Sequence, residues 1–377
     1  MRSGLTRFFA SRTGIILTGA IIGGVAVLLQ KLGNPPNMGI CVACFERDIA
    51  GALGLHRAGV VQYLRPEIFA FVLGSLIAAL AFREFRPRGG SAPIARFVLG
   101  AFAMIGALAF LGCPWRALLR LAGGDLGALF GLAGLTAGVF AGVWFLRNGY
   151  SLGRAHAARP LTGWLMPILM AGGMLLALLR PGFIFASEAG PGSMHAPILA
   201  SLAAGLLIGV LAQRTRFCTM GAIRDIFIAR DVHLLSGVAA LLIVAFGVNL
   251  LAGQFHLGAR GQPVAHGDHV WSFLGMTLAG LAFALAGGCP GRQLFMAGEG
   301  DGDAGIFVIG MISGAAFAHN FGLGAVPDKI VEGVTQVGGP APDGQAAVLI
   351  GLALCLALGF GMRERWAQAT AGKGGSR

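Results

Sequence analysis

About ten mostly apolar runs with few or no charges, each roughly as long as a membrane-spanning helix, constrain the fold of this chain more than any other feature. A helix needs roughly 20 apolar residues to cross a hydrocarbon core about 30 Å thick. The runs are 14–32, 67–83, 95–112, 126–146, 163–180, 196–213, 234–252, 270–288, 304–322 and 345–362. The sequence therefore predicts an all-α integral membrane protein with about ten transmembrane helices, for which the lipid bilayer is the solvent.

Composition excludes the other broad classes. Of the 377 residues, 12% are charged and 56% are hydrophobic, and the mean hydropathy is +0.76. A soluble domain carries about 25% charged residues, so a soluble enzyme is excluded. The formal charge of +12 comes from arginines spread between the apolar runs, which predicts a role in topology and no nucleic-acid partner. We expect no metal and no cofactor.

The distribution of arginine predicts the orientation in the membrane. Cytoplasmic loops carry an excess of Lys and Arg. Placing the N-terminus (Arg2, Arg7, Arg12) inside puts most arginine-rich loops on the cytoplasmic side, together with the basic C-terminal tail. No small-residue cleavage site follows run 14–32, so we interpret it as a retained first span. The sequence predicts a bacterial cytoplasmic-membrane protein with both termini inside.

An internal repeat aligns four of the six cysteines. Residues 110–125 match residues 286–301, and this match pairs Cys113 with Cys289 and Arg116 with Arg292. A second match relates Arg47-Asp48-Ile49 to Arg224-Asp225-Ile226 and sets Cys41 opposite Cys218. Two matches in order, each aligning a cysteine, favour a duplicated architecture.

Each cysteine of the repeat begins a segment too short to cross the membrane. The segments are 41–55, 113–123, 218–230 and 289–299. They predict four re-entrant or interfacial helices, allowed where protein or water covers their ends. The second repeat begins from the opposite side, so the two repeats are expected to be inverted, a plan typical of secondary transporters and channels.

The expected divisions follow from this repeat. They are 1–150 for the first membrane repeat, 151–190 for a connecting helix and loops, 191–323 for the second, inverted repeat, and 324–377 for the C-terminal helix and cytoplasmic tail.

The Gly-Cys-Pro triplets at Cys113 and Cys289 predict helix N-termini, because proline is favoured at the first helical position. Helix N-termini carry free N–H groups and partial positive charge, and four of them aimed inward would attract an anion. We therefore predict a substrate path lined by Cys41, Cys113, Cys218 and Cys289. The sequence leaves open whether the thiols are neutral hydrogen-bond donors or react with the solute.

Other residues allow a structural and a functional interpretation. Any buried cysteine can be a small hydrophobe, which is the interpretation we give Cys355. Cys44 completes a Cys-x-x-Cys with Cys41 and could form a redox pair, but its repeat counterpart is Gly221. Cys44, Arg116 and Arg292 are secondary candidates for the path. For the two arginines the alternative is a position at the lipid headgroups.

Two further patterns predict structure rather than binding. Arg47-Asp48 and Arg224-Asp225 predict local ion pairs. The glycines at 127, 131, 134, 138 and 142 follow one helical face and predict close helix packing.

The cysteine motifs resemble those of the YeeE/YedE family of membrane proteins. The matching stretches are Met38 to Cys44, Phe110 to Pro114, Arg216 to Cys218 and Gly287 to Pro290, and the residues from Arg57 to Asp125 are similar to the selenium-associated YedE branch. The resemblance implies an hourglass fold of inverted repeats and central cysteines that contact substrate, at Cys41, Cys113 and Cys289. It also implies a soluble sulfur-carrier protein as a partner.

The sequence thus predicts a permease, not an enzyme, that imports a small sulfur- or selenium-containing compound through a central pore lined by cysteines at re-entrant helix ends. The alternative hypothesis is a membrane thiol oxidoreductase or sulfurtransferase that uses Cys41 and Cys44.

Overall fold

The computed structural model describes residues 2–363, and the predicted basic tail beyond Arg363 lies outside the described residues. The helices are α1 (Arg2–Ala10), α2 (Arg12–Lys31), α3 (Val42–Ala52), α4 (Pro66–Ala81), α5 (Pro93–Phe110), α6 (Pro114–Ala122), α7 (Ala128–Arg147), α8 (Pro160–Leu179), α9 (Ile198–Thr215), α10 (Thr219–Ala229), α11 (His233–Leu251), α12 (His269–Ala286), α13 (Pro290–Gly298), α14 (Gly302–Asn320) and α15 (Pro342–Gly361). Strands β1 (Arg88–Gly89) and β2 (His156–Ala157) form one antiparallel ribbon, and β3 (Lys329–Val331) and β4 (Val334–Gln336) form another.

The prediction of an all-α integral membrane protein is confirmed. Within residues 2–363, nine helical stretches are long and apolar enough to cross a bilayer, some of them counted together with an adjoining short helix. Each of the ten predicted runs coincides with a helix. The run at 67–83 forms the shorter apolar helix α4, whose 16 residues fall below the usual spanning length.

The four short segments also fold as helices, and a cysteine precedes each one. Cys41, Cys113, Cys218 and Cys289 are the N-cap residues of α3, α6, α10 and α13. The expected helix N-termini at Cys113 and Cys289 are therefore confirmed, with Pro114 as the first residue of α6. Every residue of α3 is buried, and most residues of α6 and α13 are buried as well.

The long helices pack in pairs that join the two parts of the chain. Helix α2 packs against α11 and α4 against α9, while α5 packs against α14 and α7 against α12. The sequence repeat makes α2, α4, α5 and α7 the counterparts of α9, α11, α12 and α14. Replacing each helix by its counterpart turns the α2–α11 pair into the α9–α4 pair. It likewise turns the α5–α14 pair into the α12–α7 pair. The packing is thus consistent with the expected duplication, which stays a prediction together with its division at residues 150, 190 and 323.

Glycine permits the closest of these contacts. Methyl groups added at Gly134 and Gly138 would overlap the carbonyl oxygens of Phe273 and Thr277 in α12. On the facing helix, one added at Gly280 would lie 2.5 Å from the carbonyl oxygen of Leu135. The predicted packing role of this glycine face is confirmed. Helices in lipid associate through such backbone approaches, because water supplies no hydrophobic driving force there.

We predict that Gly138→Leu destabilises the protein by about 1–3 kcal/mol, because the larger side chain forces α7 away from α12. The measurement is the midpoint of thermal unfolding in detergent. Gly172→Leu on α8 is the control, since an added methyl group at Gly172 meets no atom within 4 Å. Equal midpoints for the two variants would contradict the proposed close packing.

Candidate functional site

The structure brings the four predicted cysteines together as two pairs. Cys41 Sγ lies 3.7 Å from Cys113 Sγ, and Cys218 Sγ lies 3.6 Å from Cys289 Sγ. Both separations are within S–H···S hydrogen-bond distance and well beyond the roughly 2.05 Å of a disulfide bond. All four thiols are free, and each is at most 5% exposed. Each pair joins two cysteines whose helices belong to the same half of the chain.

The caps of the two halves have the same geometry. Cys41 Sγ accepts a hydrogen bond from the amide of Cys44 at 3.4 Å, and Cys218 Sγ accepts one from the amide of Gly221 at 3.2 Å. The first turn of a helix leaves its N–H groups without partners inside the helix, so the sulfur atom satisfies one of them. Cys113 and Cys289 are each followed by a proline, and their sulfur atoms contact the other member of each pair.

The turn before Cys113 and Cys289 is also repeated. Leu111 and Gly287 occupy equivalent positions and both adopt the left-handed conformation, with φ of 63° and 87°. Leucine is unfavourable in that region, whereas glycine is not. The turn ends α5 and α12 and lets the chain re-enter the protein as a short helix.

Cys44 and Arg116 lie beside the first pair. Arg116 Nη1 contacts the carbonyl oxygen of Leu111 and lies 3.7 Å from Cys44 Sγ, while Nη2 donates to the carbonyl oxygen of Val264 at 2.8 Å. Arg116 is completely buried and lines neither cavity described below. Its role here is to tie the turn at Leu111 to the loop at Val264.

A cavity of about 590 Å³ lies near the first pair and reaches the turn before Cys113, although neither Cys41 nor Cys113 lines it. Arg47, Leu111, Val264 and His319 are among the residues that line it. Arg47 forms the predicted ion pair with Asp48, with Nη2 2.7 Å from Oδ1. We call this space the first cavity.

A second cavity of about 490 Å³ reaches the other pair, and Cys218 itself lines it. Four arginines and two aspartates also line it, namely Arg214, Arg216, Arg224, Arg292, Asp225 and Asp231. Arg224 pairs with Asp225 at 2.8 Å, as predicted, and Arg292 pairs with Glu299 at 3.2 Å. The repeat relates Arg47 and Leu111 of the first cavity to Arg224 and Gly287 of the second, so equivalent positions line both.

Sequence reasoning missed an aromatic cluster between the two halves. The Trp115 ring lies about 6 Å from those of Phe71, Phe217 and Phe295, and it would contact a methyl group added at Gly291. Trp115 follows Cys113 by two residues, and Phe217 immediately precedes Cys218. The ring thus reaches from the first pair to the second. The signal in the sequence was the repeat itself, because Gly291 stands opposite Trp115 and leaves room for its ring.

Two comparisons with known proteins bear on the family. Residues 214–375 match the model of the family described as Sulphur transport. Thiosulfate transporter TsuA of Escherichia coli (strain K12) is 34% identical over 110 residues, which are 28% of this chain and 30% of that protein. The match thus spans less than a third of the length of that relative.

Both findings support the resemblance to the YeeE/YedE family that the cysteine motifs indicate. The selenium-associated branch stays a prediction. The family model covers Cys218 and Cys289 and both of their short helices. Both descriptions name transport, which agrees with the expectation that the chain is not an enzyme.

One carboxylate organises the loops over the first cavity. Asp328 accepts hydrogen bonds from the amides of Gly261 and Gly267 at 2.9 Å and from that of Gly338 at 2.8 Å. Burial opposes ionisation of Asp328, but these amide bonds outweigh it and lower the pKa of the carboxyl group. The ionised side chain therefore holds the loop after α11 against the segment that carries β3 and β4.

We predict that Asp328→Asn accelerates hydrogen exchange at the amides of residues 261, 267 and 338 near neutral pH, because the neutral amide is a weaker acceptor. Hydrogen-exchange mass spectrometry measures the change, and Asp343→Asn in the first turn of α15 is the control. A lowered pKa stabilises the fold above the unfolded value near 3.9, and this stability is lost as pH falls through the folded value. The two proteins should therefore converge in acid; exchange in D328N that matches the wild type at neutral pH would refute the assignment.

Proposed function

We propose that this protein is a permease that imports a small sulfur- or selenium-containing compound across the bacterial cytoplasmic membrane. The observation that carries the proposal is that the four thiols form two pairs. Each pair lies at the N-termini of two helices, and a cavity lies near each pair. The Sulphur transport family model and the similarity to a thiosulfate transporter support a sulfur-containing solute. Selenium as the transported element rests on the resemblance to the YedE branch.

The proposed path begins in the first cavity and ends in the second. The charge pattern of the loops supports an orientation with the first cavity outside, the second inside, and both termini in the cytoplasm. The solute passes Cys41 and Cys113, then Cys218 and Cys289. Four helix N-termini provide partial positive charge without the full desolvation cost of a buried cation.

The lining of the second cavity suits an anion. Its four arginines outnumber its two aspartates, so the cavity attracts negative charge. Arg292, the third residue of α13, lines this cavity. Its charge can there offset the charge of a solute leaving Cys289. A soluble sulfur-carrier protein receives the solute on this side, as the family resemblance implies.

In this proposal the aromatic cluster around Trp115 closes the path between the pairs. Trp115 follows Cys113 by two residues and its ring meets Phe217 and Gly291 beside the second pair, so in this proposal a solute must displace it to pass. Closed aromatic contacts keep ions and water from leaking between the cavities while no solute is present.

The packing around Cys44 weighs against the alternative of a thiol oxidoreductase or sulfurtransferase. The sulfur atom 3.7 Å from Cys41 Sγ belongs to Cys113, whereas Cys44 Sγ faces the carbonyl oxygen of Leu111 at 3.8 Å and Arg116 at 3.7 Å. The Cys41 and Cys44 side chains also interact with each other, so a redox cycle between them would require Cys41 to give up its contact with Cys113.

We predict that Cys113→Ala and Cys289→Ala each reduce solute uptake at least tenfold, because each removes one thiol from a pair; that corresponds to about 1.4 kcal/mol in the barrier. Uptake of labelled thiosulfate and selenite into proteoliposomes, in separate arms, measures the effect. Cys355→Ala in α15 should retain wild-type uptake, since this buried thiol belongs to neither pair. Full uptake in both pair variants would overturn the cysteine path, and no uptake of either solute by the wild type would overturn the permease itself.

The rival function makes a separate prediction. In the permease, Cys44→Ser should retain uptake within about threefold of the wild type, because serine keeps a small polar side chain beside Arg116. Uptake is measured beside trapping of the Cys41 and Cys44 thiols with a maleimide during turnover. Loss of uptake in C44S together with a turnover-dependent Cys41–Cys44 disulfide would favour the oxidoreductase instead.

A further inference from the structure

Glu46 is a carboxylic acid buried beside the first cysteine pair with no hydrogen-bond partner. Its side chain is 0% exposed, and neither carboxyl oxygen has a donor among the described residues. It lies on α3, five residues after Cys41, and its carboxyl group interacts electrostatically with Cys113 of α6.

A carboxylate in this position would be an uncompensated buried charge. Burying an isolated charge is far more costly than burying the neutral acid, so the group holds a proton instead. The nearby arginines do not change this. Arg47 bonds to Asp48, and Arg116 bonds to backbone carbonyl oxygens and lies beside Cys44.

The charged groups on the neighbouring helices do not pair with Glu46 either. Helix α3 packs against α4, α5, α13 and α14. The charged groups on those helices have partners of their own: Glu67 accepts from Asn34 and Ser201, Arg96 bonds to the backbone of Ser91, Arg292 and Glu299 pair together, and Asp303 accepts from the amides of Gly90 and Ser91. The His319 ring contacts that of His56, with centroids 4.6 Å apart and planes tilted by 33°. Among the described residues, Cys113 is the titratable group that acts on Glu46.

The other half of the chain carries no such acid. The repeat places Ile223 opposite Glu46, although Arg224-Asp225 repeats Arg47-Asp48 faithfully. An acid needed only to complete the duplicated packing would be expected in both halves. Its presence in one half indicates a task performed at the first pair alone.

We propose that Glu46 is a proton-binding site of the transport path and that its proton moves together with the solute. This proposal rests on the proposed permease function and adds an H⁺-coupled mechanism to it. The neutral acid donates its O–H to an anion at Cys41 and Cys113. One proton then accompanies each solute, and Glu46 regains a proton from the outer side before the next cycle. No bond to the solute forms, and no oxidant or reductant is required.

The test is pH-driven uptake in proteoliposomes, with labelled thiosulfate and selenite in separate arms and the membrane potential held at zero by potassium and valinomycin. One coupled proton per solute predicts about tenfold higher accumulation for each unit by which the outside is made more acidic than the inside. A pH-sensitive dye trapped inside should report acidification when solute enters. Glu46→Gln should retain the neutral shape and lose both effects, while Glu67→Gln should keep them, because Glu67 has partners in Asn34 and Ser201.

Several outcomes separate this proposal from the permease itself. If the wild type takes up neither solute, the permease proposal fails. If it takes up solute without a pH dependence, or if E46Q keeps the wild-type dependence, the proton site is overturned while the permease stands. Should E46Q fail to fold, as judged by size-exclusion chromatography, Glu46→Asp decides: it retains a titratable acid and should keep the tenfold dependence at a lower rate. Uptake by E46D that is independent of pH would equally overturn the proposal.

Discussion

The need to satisfy backbone N–H groups at buried helix ends shapes this protein more than any other constraint. Four short helices begin inside the protein, where water is scarce, and the first turn of each leaves amides unpaired. The sulfur atoms of Cys41 and Cys218 accept hydrogen bonds from these amides. Cys113 and Cys289 each precede a proline, which has no N–H, so the first turn of each helix has one fewer amide to satisfy. The same geometry that satisfies the backbone draws the thiols into two pairs.

The two halves share the same order of helices but differ in some of the side chains at equivalent positions. Trp115 stands opposite Gly291, and Glu46 stands opposite Ile223. Two rings could not occupy the space between the halves, since the Trp115 ring already lies against Gly291. A strictly symmetric molecule would bind its solute equally at both ends. The first pair thus has an acid beside it, whereas the second pair opens to an arginine-rich cavity, and in the proposed path this asymmetry gives transport a chemical direction.

The sequence predicted what depends on the order of residues along the chain. Apolar run length located the helices, Gly-Cys-Pro located the starts of α6 and α13, and adjacent Arg-Asp residues located two ion pairs. It did not predict which groups meet across the molecule. The spacing of Trp115 from Phe217 depends on how α6 and α10 cross, and the amides bound by Asp328 come from three separate loop positions. Glu46 escaped notice because the repeat, which marked the cysteines, has no acid at Ile223.

In the proposed path, thiols and helix ends suit transport better than buried arginines would. A permanent cation at the centre would bind an anion strongly and hold it, whereas conduction requires binding weak enough to release the solute. Arg47 at the first cavity is paired with Asp48, and Arg116 near the first pair is bonded to carbonyl oxygens, whereas four arginines line the second cavity, where solvent reduces their strength. Between the cavities, the described side chains along the proposed path include the four thiols, the aromatic cluster around Trp115 and one acid, Glu46. If that acid is neutral, the centre attracts an anion through hydrogen bonds and partial charges alone, and the anion leaves for the arginines of the second cavity without breaking an ion pair.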